Sequence, residues 1–184
     1  MAPSTDGSRD GPPRALLIAA IAVAGVAVAA VLVIAATRQS PPQQPVVIAS
    51  VPAPQAGSPE CEAVRSALPE DLGDYRRAAT ADPTPAGAAA WRAADDSEPV
   101  ILRCGLDRPA EFVVGAPIQV VDAVGWFEVA DDTGSDRSTW FAVDRPVYIA
   151  LTLPQGSGPT PIQQISEVIA ATMPAKPIDP APAR

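Results

Sequence analysis

Two cysteines and the absence of histidine limit the chemistry that this 184-residue chain supports. Cys61 lies on the apolar face of a predicted helix, and Cys104 lies on the apolar face of a predicted strand. Because a helix and a sheet can pack with both sulfurs inward, we predict a Cys61–Cys104 disulfide, the alternative being two buried free thiols. The lack of histidine excludes Ser-His-Asp and Cys-His nucleophiles, histidine zinc sites and histidine proton shuttles. Carboxylate pairs, tyrosine, arginine and the single lysine, Lys176, remain, and an enzyme would need two carboxylates that face each other in a cleft. We predict a non-enzymatic protein without catalytic residues, cofactor or metal.

An acidic loop offers two further chemistries. Asp132-Thr133-Gly134-Ser135 has the letters of the aspartic protease tetrad, but turn-forming residues surround it and no apolar strand leads into it. Asp131, Asp132 and Asp136 could supply oxygen ligands to calcium, yet their spacing does not fit an EF-hand. We interpret the segment as a solvated, acidic hairpin loop.

A binding surface is the remaining candidate site. Asp144, Arg145 and Tyr148 stand at the entry to the clearest predicted strand, and Trp126 and Trp140 lie on strands that are candidate neighbours. Aromatic side chains and arginine are typical of interface hot spots. Packing in the core is the alternative role for the two tryptophans. The net charge of −8, without a run of basic residues, disfavours nucleic acid as a partner.

An apolar block near the N-terminus predicts how the chain is attached. Ala15 to Ala36 are 22 consecutive residues of Ala, Val, Leu, Ile and Gly, enough for a helix to cross a bilayer. The alternative is a cleaved signal peptide, whose apolar region is usually shorter than this block. Arg9 and Arg14 precede the block, and only Arg38 follows closely, so the positive-inside rule predicts a cytoplasmic N-terminus. We expect a single-pass plasma membrane protein with an extracytoplasmic C-terminal domain.

Composition divides the chain into five segments. Prolines dominate the stretches on both sides of the predicted domain, and proline prevents helix and inner strand. The predicted segments are a cytoplasmic stub (1–14), a transmembrane helix (15–36), a proline-rich linker (37–59), an extracytoplasmic domain (60–175) and a disordered tail (176–184).

The periodicities inside the domain predict an α+β fold. Helical spacing marks the segments 60–68 and 161–173, and the alanine-rich stretch 80–96 reads as a loop leading into a helical turn. Alternating strand patterns follow in 100–104, 124–129, 139–143 and 147–153. Because long helices between strands are missing, we expect an antiparallel sheet of about four to five strands with helices on one face, after one N-terminal transmembrane helix.

Several short blocks carry a family resemblance over about residues 61–173. They are Cys61 with Leu68-Pro69, Ala88-Ala89-Ala90-Trp91, Pro99 to Gly105 followed by Pro109, Val124-Gly125-Trp126, and Asp144-Arg145-Pro146-Val147-Tyr148. In these blocks the chain resembles an uncharacterised family of actinobacterial envelope proteins, the domain of unknown function three-five-one-five. The resemblance implies an exported or membrane-anchored protein with a paired-cysteine domain, and it implies no activity, cofactor or catalytic residue.

Two functions are compatible with this layout of anchor, spacer and domain. The first is a non-enzymatic protein-interaction module of the cell envelope that binds another envelope protein through an exposed apolar patch. The alternative is a domain that binds a small molecule or a cell-wall fragment, for which we expect a concave pocket among Trp126, Trp140 and Tyr148.

Overall fold

A computed structural model describes residues 14–38, 43–95, 97–130, 134 and 137–183. The chain divides into two units, Met1–Pro42 and Gln43–Arg184. The first unit contains helix α1 (Arg14–Arg38), whose 19-residue segment Leu16–Ile34 is long and apolar enough to span a membrane and is exposed throughout. Residues 1–13, which include Arg9 and most of the predicted cytoplasmic stub, lie outside the described residues.

The second unit is an eight-stranded antiparallel sheet with two helices. The sheet order is β1-β2-β3-β4-β8-β7-β6-β5, so the centre of the sheet is formed by β4 and β8. The elements are α2 (Pro59–Ala67), β1 (Asp71–Leu72), β2 (Tyr75–Arg77), β3 (Ala88–Ala93), β4 (Val100–Leu106), β5 (Gln119–Val121), β6 (Val124–Ala130), β7 (Arg137–Ala142), β8 (Tyr148–Pro154) and α3 (Thr160–Thr172).

The α+β class and the antiparallel sheet are confirmed, but the predicted count of four to five strands is wrong. Strands β1, β2 and β5 have only two or three residues each, which is too short for an alternating pattern to be visible. Strand β3 is rich in alanine, which favours helix, yet its residues Ala88 to Trp91 pair with β4. Pairing with its neighbours therefore outweighs the local preference of this segment.

Helices α2 and α3 cover one face of the sheet. Ser58 caps α2, its hydroxyl accepting a hydrogen bond from the Cys61 backbone N–H at 3.3 Å, and Pro59 occupies the first turn. Ile162, Ile165 and Ile169 lie on the buried side of α3. Between helices and sheet, a single apolar core includes both cysteines, Trp91, Trp126, and the residues Leu102, Ile149 and Leu151 of the two central strands. This side of the sheet we call the helix face.

The opposite side, which we call the open face, carries no helix among the described residues of the second unit. Part of it is covered by the segment just before α2. Val46 and Ile48 are buried against Ala90 and Ile101, and Val46 forms an isolated parallel bridge with Thr80. The sequence placed these residues in an extended linker (37–59). Prolines in this segment disfavour regular structure, but they leave apolar side chains and backbone groups free to pair with the domain.

The C-terminal segment, predicted as a disordered tail (176–184), is also paired with the domain as far as it is described. The backbone N–H of Lys176 donates to the carbonyl of Asp144 at 2.8 Å, and Ala181 forms an isolated parallel bridge with Val113. Asp179 forms an ion pair with Arg108 at 3.3 Å. Scattered backbone pairs of this kind have no periodic sequence signature, so composition alone does not predict them.

Candidate functional site

The five residues of the predicted binding surface do not lie on one surface. Trp126 is fully buried on the helix face, where its Nε1 donates to Ser166 Oγ at 2.9 Å. Trp140 is half-buried on the same face. Tyr148 lies on the open face and packs against the cluster of Phe112 and Phe127. A pocket shared by the two tryptophans and Tyr148 is therefore ruled out by the sheet itself, which separates them.

Asp144 and Arg145 form an internal corner. Arg145 pairs with the Asp144 carboxylate at 2.8 Å and donates to the carbonyl of Ala123 at 2.8 Å, and its side chain is 2% exposed. The other carboxylate oxygen of Asp144 accepts the backbone N–H of Gly125 at 2.9 Å. These contacts tie the chain before β8 to the hairpin of β5 and β6, so the pair serves the fold.

Most residues of the acidic loop lie outside the part of the chain that the structure describes. Asp131, Asp132, Thr133, Ser135 and Asp136 are not among the described residues, and both the protease tetrad and the calcium candidate depend on them. Within the described ranges, no group of three or more cysteine, aspartate or glutamate side chains is placed to hold a metal ion.

A cleft of about 380 Å³ opens on the open face of the sheet. Its floor crosses three neighbouring strands, because Arg103 of β4 pairs with Ala150 of β8, and Ala150 pairs with Phe141 of β7. A second row of the floor runs from Ile101 through Thr152 to Thr139. Leu106, Arg137 and three residues of the segment before α2 complete the lining: Val47, Ala49 and Val51. The volume falls within the range of small-molecule sites.

Strand alternation selects which side chains reach this cleft. In β4, Leu102 and Cys104 point to the helix face, and Arg103 between them therefore points to the open face. The disulfide of Cys104 with Cys61 holds β4 to α2 from the other side of the sheet, with the two Cα atoms 5.6 Å apart. Arg103 thus stands on a strand that is fixed by two neighbouring strands and by a covalent bond.

Arg103 is an unusual member of this floor. Its side chain is half-buried, its Nε is buried without a hydrogen-bond partner, and no ion pair joins it to any residue that the structure describes. Burial lowers the pKa of the Arg103 guanidinium below its ordinary value, and the positive charge of Arg137 lowers it further. A desolvated cation of this kind gains free energy from a negative charge placed beside it.

The sequence matches the family described as "Protein of unknown function (DUF3515)" over residues 20–178. The chain belongs to this family. The matched range includes the whole sheet, α2, α3, the disulfide and the cleft. No curated protein matches the chain, and no solved structure matches it.

In this DUF3515 chain, the polar part of the cleft offers mainly hydrogen-bond donors. Arg137 donates to Glu98 Oε2 at 3.3 Å, so a carboxylate already accompanies its charge. The hydroxyls of Thr139 and Thr152 form a hydrogen bond of 3.0 Å across β7 and β8. Whichever threonine accepts that bond keeps its own O–H available to a ligand. The remaining lining is apolar, which suits a ligand with one polar end.

The sequence pattern did not lead to Arg103 as a candidate site residue of the DUF3515 domain, although Arg103 lies within the block Pro99 to Gly105 that contains Cys104. One signal was available: Arg103 is the single charged residue in the strand sequence Val-Ile-Leu-Arg-Cys-Gly-Leu. A charge in the middle of an otherwise buried strand requires a partner or a function. The absence of a partner among the described residues is a property of the folded chain, and the sequence does not contain it.

Proposed function

We propose that this protein is a membrane-anchored, non-enzymatic domain that binds a small molecule in the cleft on the open face of its sheet. The observation that carries the proposal is the cleft of about 380 Å³ with Arg103 on its floor, for which the described residues supply no ion-pair partner. The residues that line the cleft include no carboxylate, cysteine or histidine, so they offer groups for binding and no general base that could activate the hydroxyls of Thr139 and Thr152.

The location of the domain is part of the same proposal. Helix α1 is apolar enough to cross a bilayer, which supports a single-pass anchor. The excess of arginine before the apolar block of this helix supports a cytoplasmic N-terminus, and it follows that the domain is extracytoplasmic. The Cys61–Cys104 disulfide supports this orientation, because disulfides persist outside the reducing cytoplasm. A place in the cell envelope is the location we propose.

Binding of another envelope protein by this domain stays a prediction, because no specific observation favours it. Among the described residues of the second unit, five large apolar side chains are exposed, of which Val47 and Val51 line the cleft; the others are Val114, Val120 and Ile178. Single exposed apolar side chains are normal on protein surfaces. The cleft is the more specific feature, so we place small-molecule binding ahead of protein binding.

Filling the cleft tests the proposal. Ala150 is buried in the middle of the floor, and the change Ala150→Leu adds three carbon atoms to that position. The full-length protein in phosphatidylcholine nanodiscs is screened by ligand-observed NMR against a library of small acids, bases and neutral aromatics, with empty nanodiscs as reference. We expect a set of binders whose affinity falls at least about tenfold in Ala150→Leu.

The matched control is Ala63→Leu, which adds the same atoms at an exposed position of α2. We expect the control to bind the same compounds as the wild type. A library in which nothing binds, or binding that Ala150→Leu leaves unchanged, contradicts the proposed function.

A further inference from the structure

The positive charges of the described domain are compensated in different ways. Arg65 is paired with Glu62, Arg108 with Asp179 and Arg145 with Asp144, whereas Arg77 lies over the ring of Trp91 and Arg76 is exposed to solvent. At the cleft, Arg137 is paired with Glu98, and Arg103 has no carboxylate partner among the described residues. The charge that the cleft leaves uncompensated is therefore a single positive one.

The donor geometry of Arg103 specifies the kind of group that compensates this charge. A guanidinium presents its N–H donors in a planar fork, and a carboxylate accepts two of them side by side. The free O–H of the Thr139–Thr152 pair adds one more donor on the neighbouring strands. One carboxylate matches one uncompensated guanidinium in both charge and shape.

The apolar lining specifies the rest of the ligand. Ile101 and Leu106 on β4 and Phe141 on β7 surround the polar centre, and Val47 lies on the side of the segment before α2. Inorganic phosphate or sulfate would lose hydration against these side chains without an apolar gain in return. A hydrocarbon part attached to the carboxylate covers them and gains free energy from burial.

We infer that the ligand of this cleft is an apolar monocarboxylate, held by its carboxylate on Arg103 and by its hydrocarbon part on the apolar lining. This inference rests on the proposed function, since it names the chemical class of the small molecule that the same cleft binds.

Octanoate and its neutral isostere octanamide test this inference. Full-length protein in phosphatidylcholine nanodiscs is titrated with each compound by isothermal calorimetry, with empty nanodiscs subtracted. We expect octanoate to bind at least about tenfold more tightly than octanamide, as one charge-assisted hydrogen-bonded pair allows. In Arg103→Gln the two compounds are expected to bind equally. In Arg103→Lys, which keeps the charge and loses the fork, the preference is expected to be smaller than in the wild type.

The matched control is Arg76→Gln. Arg76 is exposed, lies on the open face by its pairing with Arg92, and does not line the cleft, so this variant removes one positive charge without touching the site. We expect it to keep the wild-type preference for octanoate. A drop in preference equal to that of Arg103→Gln assigns the effect to general charge and overturns the inference.

The two levels of the proposal fail in different ways. If both compounds bind the wild type equally, the carboxylate assignment is wrong and the small-molecule cleft stands. If neither compound binds while other members of the library bind in an Ala150-dependent manner, the monocarboxylate class is again wrong. If nothing binds in either experiment, the proposed function itself fails.

Discussion

Replacing Arg103 by methionine is expected to make the unliganded protein more stable. Most replacements of a buried residue lower stability, and this one is an exception because the guanidinium is desolvated without compensation among the described residues. Methionine has about the length of the arginine side chain up to Nε, is apolar and adapts its shape to irregular gaps. The change therefore keeps the packing of the aliphatic stem and removes the unpaired charge.

The magnitude follows from the burial of Arg103. A buried polar group left without a partner costs about 1–3 kcal/mol, and more when the group is charged. Because the side chain is only half-buried, water still reaches part of the guanidinium, and the lower end of this range applies. We expect a gain of about 1 kcal/mol in the free energy of unfolding, or about 2–4 °C in Tm for a domain of this size.

Urea unfolding of the nanodisc-embedded protein measures this effect through the fluorescence of its three tryptophans, of which Trp91 and Trp126 are fully buried. The buffer contains no carboxylate or phosphate, so the cleft stays unliganded. Arg145→Met is the comparison, because it removes a buried arginine that does have a carboxylate partner. We expect this variant to lose about 3 kcal/mol. A loss of stability in Arg103→Met shows that the charge supports the fold, and the assignment of Arg103 to ligand binding then falls.

Two further predictions concern how β4 is held in place. Gly105→Ala is expected to lower the free energy of unfolding more than Gly115→Ala in urea titrations. Both glycines have a positive φ, which alanine rarely adopts. A Cβ added at Gly105 would also lie 2.2 Å from the backbone nitrogen of Ala56, whereas a Cβ added at Gly115 would lie in open space. Equal losses would mean that backbone conformation alone accounts for the effect. Replacing both Cys61 and Cys104 by alanine is expected to lower the same free energy by about 4 kcal/mol, since the bond closes a separation of 43 residues. A loss below about 1 kcal/mol would contradict this estimate.

The parts of the fold that the sequence predicts are those with a strong period. The alternation in 147–153 predicts β8, the centre of the sheet, and the spacing of the isoleucines predicts α3 with its buried side. The pairing of Cys61 with Cys104 also follows from the apolar faces on which the two residues lie. In each case a local pattern and the global packing favour the same structure.

The sequence does not predict the strand conformation of β3 or the burial of the segment before α2, and the reasons differ. Ala88–Ala93 has the composition of a helix and becomes a strand because β2 and β4 supply partners on both edges. Val46 and Ile48 sit among prolines, and their burial depends on an apolar surface around Ile101 that exists only after the sheet has formed. Both are decided by contacts between residues far apart in sequence.

The candidate site is harder to predict than the fold, because its defining property is a missing contact. Residue type makes candidates of Trp126, Trp140 and Tyr148. Side chains alternate between the two faces of the sheet, however, and this places the tryptophans on the helix face and Tyr148 on the open face. Arg103 is visible in the sequence as a charge within an apolar strand. That it is half-buried, and that no described carboxylate reaches it, depends on the positions of every neighbouring side chain.

The neighbouring positions of Arg103 and Cys104 give the cleft a physical basis for preorganisation. Alternation along β4 sends the sulfur to the helix face and the guanidinium to the open face. The disulfide thus anchors the strand on one side while the side chain next to it faces the cleft on the other. A binding group on a strand that is paired on both edges loses little backbone freedom when a ligand arrives. If the cleft binds as proposed, a charge without a described partner on a strand held by two neighbours and a disulfide enters the complex with little loss of backbone freedom.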